Sequence, residues 1–309
     1  MRDYSIFYRH RFAGVYELAT RTWDRFVSAF DGSDRVTRVF DHVIANEKHF
    51  LNLPEYKHDA ASLPVGCFQA AVGDEAEAIG SYFDAMPIAQ GRTLCVDISG
   101  FLRPHLIYLL RYLSANGIKK FDALYAEPSH YAQKAETTFA HENIAVVRQI
   151  AGYEGQHSIA QSHDVLILGA GYENHLVTRV AERKANARKI RLLGYPSLQA
   201  DMYQESVLRL SRSAEALGEQ VETLFAPAYD PFVAATVISR RVGELENAGL
   251  TNLYLAPLST KPHTLGFAIF YLYERLNTPT SIIFPFSESY AAQSSRGISR
   301  VWQYTVELP

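Results

Sequence analysis

The chain has 309 residues, 48% of them hydrophobic and 20% charged, with a net charge of −3 at pH 7. That length buries a full core in one large domain or two modest ones. That charge excludes a general attraction for nucleic acid or an anionic membrane, and an extended nucleic-acid surface with it, but leaves room for a small basic pocket. The two cysteines, Cys67 and Cys95, lie far apart with no CxxC and no Cys/His ligand spacing, so a buried reduced thiol is expected at Cys95 and no metal site is expected. The start, "MRDYSIFYRHRF", lacks the apolar core of a signal peptide. The longest apolar stretch, around 264–273, is shorter than the ~20 residues of a bilayer crossing, so a cytoplasmic protein is expected.

Residues 1–90 read as a mostly helical region. Trp23, Phe26, Val27 and Phe30 recur at helical spacing, as do Val36, Val39, Phe40, Val43 and Ile44, with "DGSD" between them as a turn and helix cap. "NLPEYKHDAASLP" (52–64) reads as a connecting loop, and Ile79, Phe83 and Met86 share one face of a helix opened by "GDEAEA". From residue 93 short apolar strands alternate with helices: "TLCVDI", "FDALYA", "IAVVRQI", "DVLILGA", "KIRLLGY", "VETLFA", "NLYLA" and "SIIFPF". Strands that are apolar throughout indicate a mainly parallel Rossmann-like sheet with helices on both faces, so residues 91–309 read as an α/β domain. The alternating "ISRVWQYTVEL" at the end reads as an antiparallel edge strand.

Two corners of this domain echo each other. "LCVDISGFLRPHLIYLLRYL…FDALYAEPSHYAQ" lies on "NLYLAPLSTKPHTLGFAIFYL…SIIFPFSESYAAQ" with a one-residue slip, suggesting an internal repeat of 93–133 and 251–293 and two related halves. A supersecondary pattern shared by chance is the alternative. Proline suits the first helical turn, where its missing N–H costs nothing. Free N–H groups and the positive helix end attract anions there, and Arg103 and Lys261 add a cation. With the hydroxyls of Ser99, Ser259 and Thr260 in the same turns, the two corners are expected to share one carboxyl edge as a phosphate-binding site. If Arg103 and Lys261 instead point into solvent, the prolines merely start helices.

"LILGAGYENHLV" places Gly169 and Gly171 between strand and helix, with Asn174 where a dinucleotide fingerprint has its third glycine. A close approach of backbone to ligand, or a tight turn, fits equally well. Tyr172 and Glu173 follow, and Tyr153, Tyr195 and Tyr229 sit in similar loops; they would line one rim or fill the core. Asp97, Glu127 and Glu173 end strands and are candidate bases, with Lys261 as a stabiliser of developing charge. HExxH, GxxxxGK[ST] and GxSxG are absent, and His105 and His263 read as helix-start donors rather than ligands.

"NLYLAPLSTKPHTLGFA" resembles the strand–turn–helix "GGTK" signature of CARF domains, the CRISPR-associated Rossmann fold. Thr260 and Lys261 match, a small and apolar helix start follows, and Ser99 corresponds to a hydroxyl after an early strand; Leu258-Ser259 stands where the family has its glycines. The family senses cyclic oligonucleotides and some members cleave them. The resemblance therefore implies a nucleotide-binding sensor or accessory protein in a prokaryotic defence or stress system, with a protein partner or homo-oligomer and no further cofactor. An enzyme hydrolysing a nucleotide or cyclic oligonucleotide in the same cleft, and a non-catalytic assembly subunit, are the alternatives.

Overall fold

A computed structural model describes residues 2–89, 91–131, 144–171, 173–199, 202–218, 221–290 and 295–309. The chain forms two compact units: Phe7–His141 with Glu288–Pro309 (the first), and Met1–Ile6 with Glu142–Ser287 (the second). The first unit opens with strands β1 (Arg9–Phe12) and β2 (Thr22–Ala29), helix α1 (Asp34–His42) and strands β3 (Ile44–Asn52) and β4 (Phe68–Gln69). Helix α2 (Glu75–Ala85), strand β5 (Leu94–Asp97), helix α3 (Arg103–Ala115) and strand β6 (Lys120–Tyr131) follow. The second unit runs β7 (Ile144–Gln149), β8 (Val165–Ala170), α4 (Asn174–Arg183), β9 (Arg188–Gly194), α5 (Met202–Ser211), α6 (Ala214–Leu217) and β10 (Glu222–Ala226). It ends with α7 (Pro231–Asn247), β11 (Leu253–Pro257), α8 (Lys261–Glu274) and β12 (Thr280–Ser287), after which β13 (Ser295–Glu307) returns to the first unit.

The strand alternation is thus divided between two sheets, ordered β1-β13-β6-β5-β2-β3-β4 and β10-β9-β8-β11-β12-β7. Both have the same plan. β4-β3-β2-β5-β6 and β10-β9-β8-β11-β12 are parallel and follow the order third, second, first, fourth, fifth. An antiparallel strand then covers the fifth: β13 on β6, and β7 on β12. The segments 93–133 and 251–293 therefore contribute the same positions, fourth strand, helix and fifth strand, one to each sheet. The sixth strands cross over between units: β7 follows β6 in the chain but pairs with β12, while β13 follows β12 but pairs with β6.

The first 90 residues are not mostly helical. They supply four strands, and Trp23, Phe26 and Val27 lie in β2. β2 pairs with β3 on one side and β5 on the other, and Arg25 to Ala29 are all buried, so with both faces covered its run satisfies helical spacing by coincidence. The boundary expected at 90/91 falls between α2 and β5, inside one sheet. α1 and α2 stand where expected; a capping box between Asp74 and Glu77 opens α2. Phe12, Trp23, Phe26, Val39, Leu124 and Val301 form part of a buried core that also encloses Cys95, a free thiol. β13 is antiparallel as expected but is not an edge, because β1 pairs along its other side. Among the described residues no helix is long and apolar enough to cross a membrane.

Candidate functional site

In this strand order the first and fourth strands are neighbours, and the chain leaves them in opposite directions. Right-handed crossovers then place the following helices on opposite faces, and the loops part to leave a crevice at the carboxyl edge. Each unit has one such switch point, between β8 and β11 and between β2 and β5.

At the β8/β11 switch point the loop carrying Gly171 and Glu173 lies against the one carrying Ser259, Thr260 and Lys261, while Gly169, expected between strand and helix, lies within β8 and pairs with β9 and β11. Leu258 N–H donates to Gly169 O at 2.9 Å. A Cβ on Gly171 would meet Leu258 O and the Ser259 Cα at 3.4 Å, an ordinary van der Waals contact, so the two backbones lie side by side without requiring glycine there. Lys261 is the first residue of α8 and half-buried, Ser259 is buried, and Glu173 is buried at the N-cap of α4. The Thr260 hydroxyl caps the helix, donating to Ala228 O at 2.6 Å and accepting from His263 N–H at 3.3 Å. His263 is fully buried with Nε2 3.0 Å from Pro227 O, so this nitrogen carries the hydrogen; burial pushes its pKa down to about 4 and the ring is neutral. Asp230 caps α7, accepting from Phe232 and Val233 N–H. Tyr172 lies outside the described residues.

Ser99 and Arg103 belong to the other switch point, in the first unit, so the two echoing corners serve different sheets. Arg103 opens α3, half-buried, with no side-chain cap at that N-terminus. Asp97 ends β5, fully buried; it accepts from Ser99 N–H at 3.0 Å and from the Ser28 hydroxyl at 3.1 Å. Burial raises its pKa to about 6, against the pull of those two hydrogen bonds and of Arg35. Ser99 Oγ accepts from Ala126 N–H at 2.8 Å, and Arg35 donates to Ala126 O at 3.0 Å and Ser99 O at 3.3 Å. Glu127 is not an open base. It is buried within β6, where it accepts from Trp302 Nε1–H at 3.0 Å and lies 3.4 Å from Arg300.

Reading β2 as helix hid the rest of this switch point, because a loop is placed at a sheet edge only once its strand is recognised. Asp31 follows β2 and accepts from Ser33 N–H; Glu55 follows β3 and lies 3.2 Å from the buried His105, a pairing at ion-pair distance. Tyr56 donates to Gly100 O at 2.7 Å, and Tyr290 N–H to Glu55 O at 3.0 Å. Burial works to raise the Glu55 carboxyl, but His105 holds it below the usual range. Among the described residues Ser33 Oγ, Glu55 Oε2 and His105 Nδ1 are buried polar atoms without a hydrogen-bond partner, the kind of group that a ligand or ordered water satisfies. The expected tyrosine rim is not uniform: Tyr153 is fully buried against Tyr271, ring centroids 4.7 Å apart, whereas Tyr195 is exposed. Among the described residues no three His, Cys, Asp or Glu side chains gather as a metal site requires.

No protein-family model and no curated protein matches the chain. Among solved structures, the N-terminal ketoreductase of a macrolactin assembly line is similar at 12% identity, over 89% of this chain and 72% of that one, with a TM-score of 0.24. At that level the Rossmann-like α/β assignment stands on the strand order of the two sheets, and the ketoreductase's activity is a property of that protein.

Proposed function

We propose that the protein is a nucleotide-binding sensor or accessory component, recognising a phosphorylated nucleotide messenger at the β8/β11 switch point. The observation that carries this reading is the apposition of the Gly169–Gly171 backbone to Leu258 and Ser259, immediately ahead of Lys261 at the N-terminus of α8. A glycine-lined loop lets phosphate approach main chain, and the helix end and lysine supply positive charge. Lys261 and Ser259 hold phosphate, and the loop from Gly169 to Glu173 lies against sugar or base. Ser99 and Arg103 perform the same service at the other switch point. A cytoplasmic setting within a prokaryotic antiviral or stress system, and a protein partner or second copy that reads occupancy, belong to the same proposal.

The test is a thermal-shift panel of mono-, di- and cyclic oligonucleotides on the full chain. A ligand at a hundredfold its Kd stabilises by about 2.7 kcal/mol. Removing one charge-assisted contact costs about 1.5–3 kcal/mol, so Lys261→Ala is expected to weaken binding roughly 10- to 100-fold. A panel with no shift, or a ligand bound equally well by Lys261→Ala and Arg103→Ala, overturns the reading.

Asp97 favours a second reading, hydrolysis of a nucleotide or cyclic oligonucleotide, because a buried carboxyl raised to about 6 at the β2/β5 switch point suits proton transfer near neutrality. Turnover of the same panel, followed by chromatography, separates the two. Neither shift nor turnover, with a partner co-purifying, points to an assembly subunit.

A further inference from the structure

We infer that the β2/β5 switch point of the first unit binds the ribose of a nucleotide, with Glu55 and His105 accepting from its hydroxyls and Ser33 beside them. The inference rests on the nucleotide reading above and names the sugar that this switch point selects.

Three loops meet here. The first follows β2 and turns on Gly32, at a φ of 72°, before Ser33 and α1. The second follows β3 and carries Glu55 and Tyr56 in a short helical turn, Pro54–Tyr56. The third joins β5 to α3. The Tyr56 hydroxyl, donating to Gly100 O, ties the second loop to the third, and His58 Nε2, 3.2 Å from Phe30 O, ties it to the end of β2. A Cβ on Gly100 would run into Ala29 O, so the third loop is pressed against β2 and only glycine fits.

The polar atoms left over at this meeting are mostly acceptors. Glu55 Oε1 lies 3.2 Å from His105 Nε2, at ion-pair distance but not aligned for a hydrogen bond, while Oε2 is buried with no partner among the described residues. Against the pull of burial, His105 holds this carboxyl below the usual range, so it is ionised near neutrality and accepts strongly. An imidazole hydrogen on Nε2 faces that carboxylate, which leaves Nδ1 as an acceptor, and Nδ1 too is buried without a partner. Ser33 stands at the N-cap of α1, but its buried hydroxyl makes no capping bond and no other among the described residues.

Two buried acceptors and a hydroxyl call for a ligand that brings adjacent O–H donors, as a ribose does. The other buried charges of these loops are already engaged: Asp31 by Ser33 N–H, Asp97 by Ser99 N–H and the Ser28 hydroxyl, and Arg35 by the Ala126 and Ser99 carbonyls. Two of these three are acids, so an uncharged hydroxyl rather than a second anion suits Glu55. The phosphate is left to Arg103 at the start of α3. The second unit lacks this set. After its second strand, β9, the chain runs Tyr195-Pro196-Ser197 with no acid, and His263, in the place of His105, faces Pro227 O instead of a carboxylate.

The experiment is calorimetric titration of the full chain with AMP, GMP, CMP and UMP and with their 2′-deoxy counterparts, repeated on Glu55→Gln and His105→Gln. At least one ribonucleotide should bind roughly tenfold more tightly than its deoxy form, the scale of one hydrogen bond to a charged group. Glu55→Gln should erase that preference by weakening the ribonucleotide alone, with both variants native by circular dichroism. Equal affinity for ribo and deoxy forms in the parent, or a preference that survives in Glu55→Gln, overturns the ribose site and leaves the nucleotide reading standing. Binding of no mononucleotide overturns both.

Discussion

Gly266→Ala should destabilise the second unit by about 3 kcal/mol, whereas Gly243→Ala should stabilise it by up to about 1 kcal/mol, although both replace a helical glycine with the best helix former. The difference lies in what the new methyl meets. A Cβ on Gly266 in α8 would sit 2.4 Å from Pro231 O and 3.2 Å from the Ala234 Cβ of α7. Pro231 is the first residue of α7 and is fixed by the Asp230 cap beside it, so its carbonyl yields only if the whole helix moves. Gly243, in α7, has nothing within 4 Å of the added carbon, so only the gain in backbone entropy remains. Urea unfolding of the two variants checks the pair. Equal midpoints, or a loss at Gly243 as large as at Gly266, would refute the close approach of α7 to α8.

The second large effect is one of pH, and its two sources oppose each other. Asp97 titrates near 6 when folded and at about 3.9 when unfolded, so between those values the folded chain holds a proton that the unfolded chain has released. Its contribution is present below pH 4 and is lost as pH rises to 6, at about 1.4 kcal/mol per unit. His263 titrates near 4 when folded and about 6.5 when unfolded, so its contribution is present above pH 6.5 and is lost as pH falls to 4. Asp97→Asn keeps acceptor and donor for Ser99 N–H and Ser28, removes the first slope and unmasks the second. Its stability should rise with pH across 4–6 more steeply than that of the parent, with a net gain of a few kcal/mol at pH 7. His263→Gln should show the reverse slope. Denaturant midpoints at pH 4.5, 5.5 and 7 measure both, and parallel curves for parent and Asp97→Asn would refute the raised carboxyl.

Much of the architecture was legible because covered parallel strands are apolar throughout. β5, β6 and β8–β12 all fall on runs that the sequence marks, and Pro104, Pro231 and Pro262 mark the first turns of three helices. β3 was hidden because it carries Asn46, Glu47, Lys48 and His49, and β4 is only two residues long. Division into two sheets could not be seen, since it depends on pairings such as β6 with β13 that join residues far apart in the chain. The switch-point residues divide likewise. Ser99, Gly171, Glu173, Ser259, Thr260 and Lys261 follow recognisable strands and Gly169 lies within one, whereas Asp31 and Glu55 follow strands that resemble helix or loop. Glu127 misled because its engagement by Trp302 spans 175 positions.

The crossing of the sixth strands has a consequence during translation. β6 ends at residue 131 and its antiparallel neighbour starts at residue 295, so 295 − 131 = 164 further positions must be synthesised first. At about 5–20 residues per second, the ribosome leaves the outer flank of β6 bare for roughly 10–30 s. An unsatisfied strand flank is a template for whatever extended segment arrives, and the β7 segment emerges next from the same tunnel. Correct assembly therefore requires the nascent chain to leave its nearest neighbour unpaired and wait for its last strand.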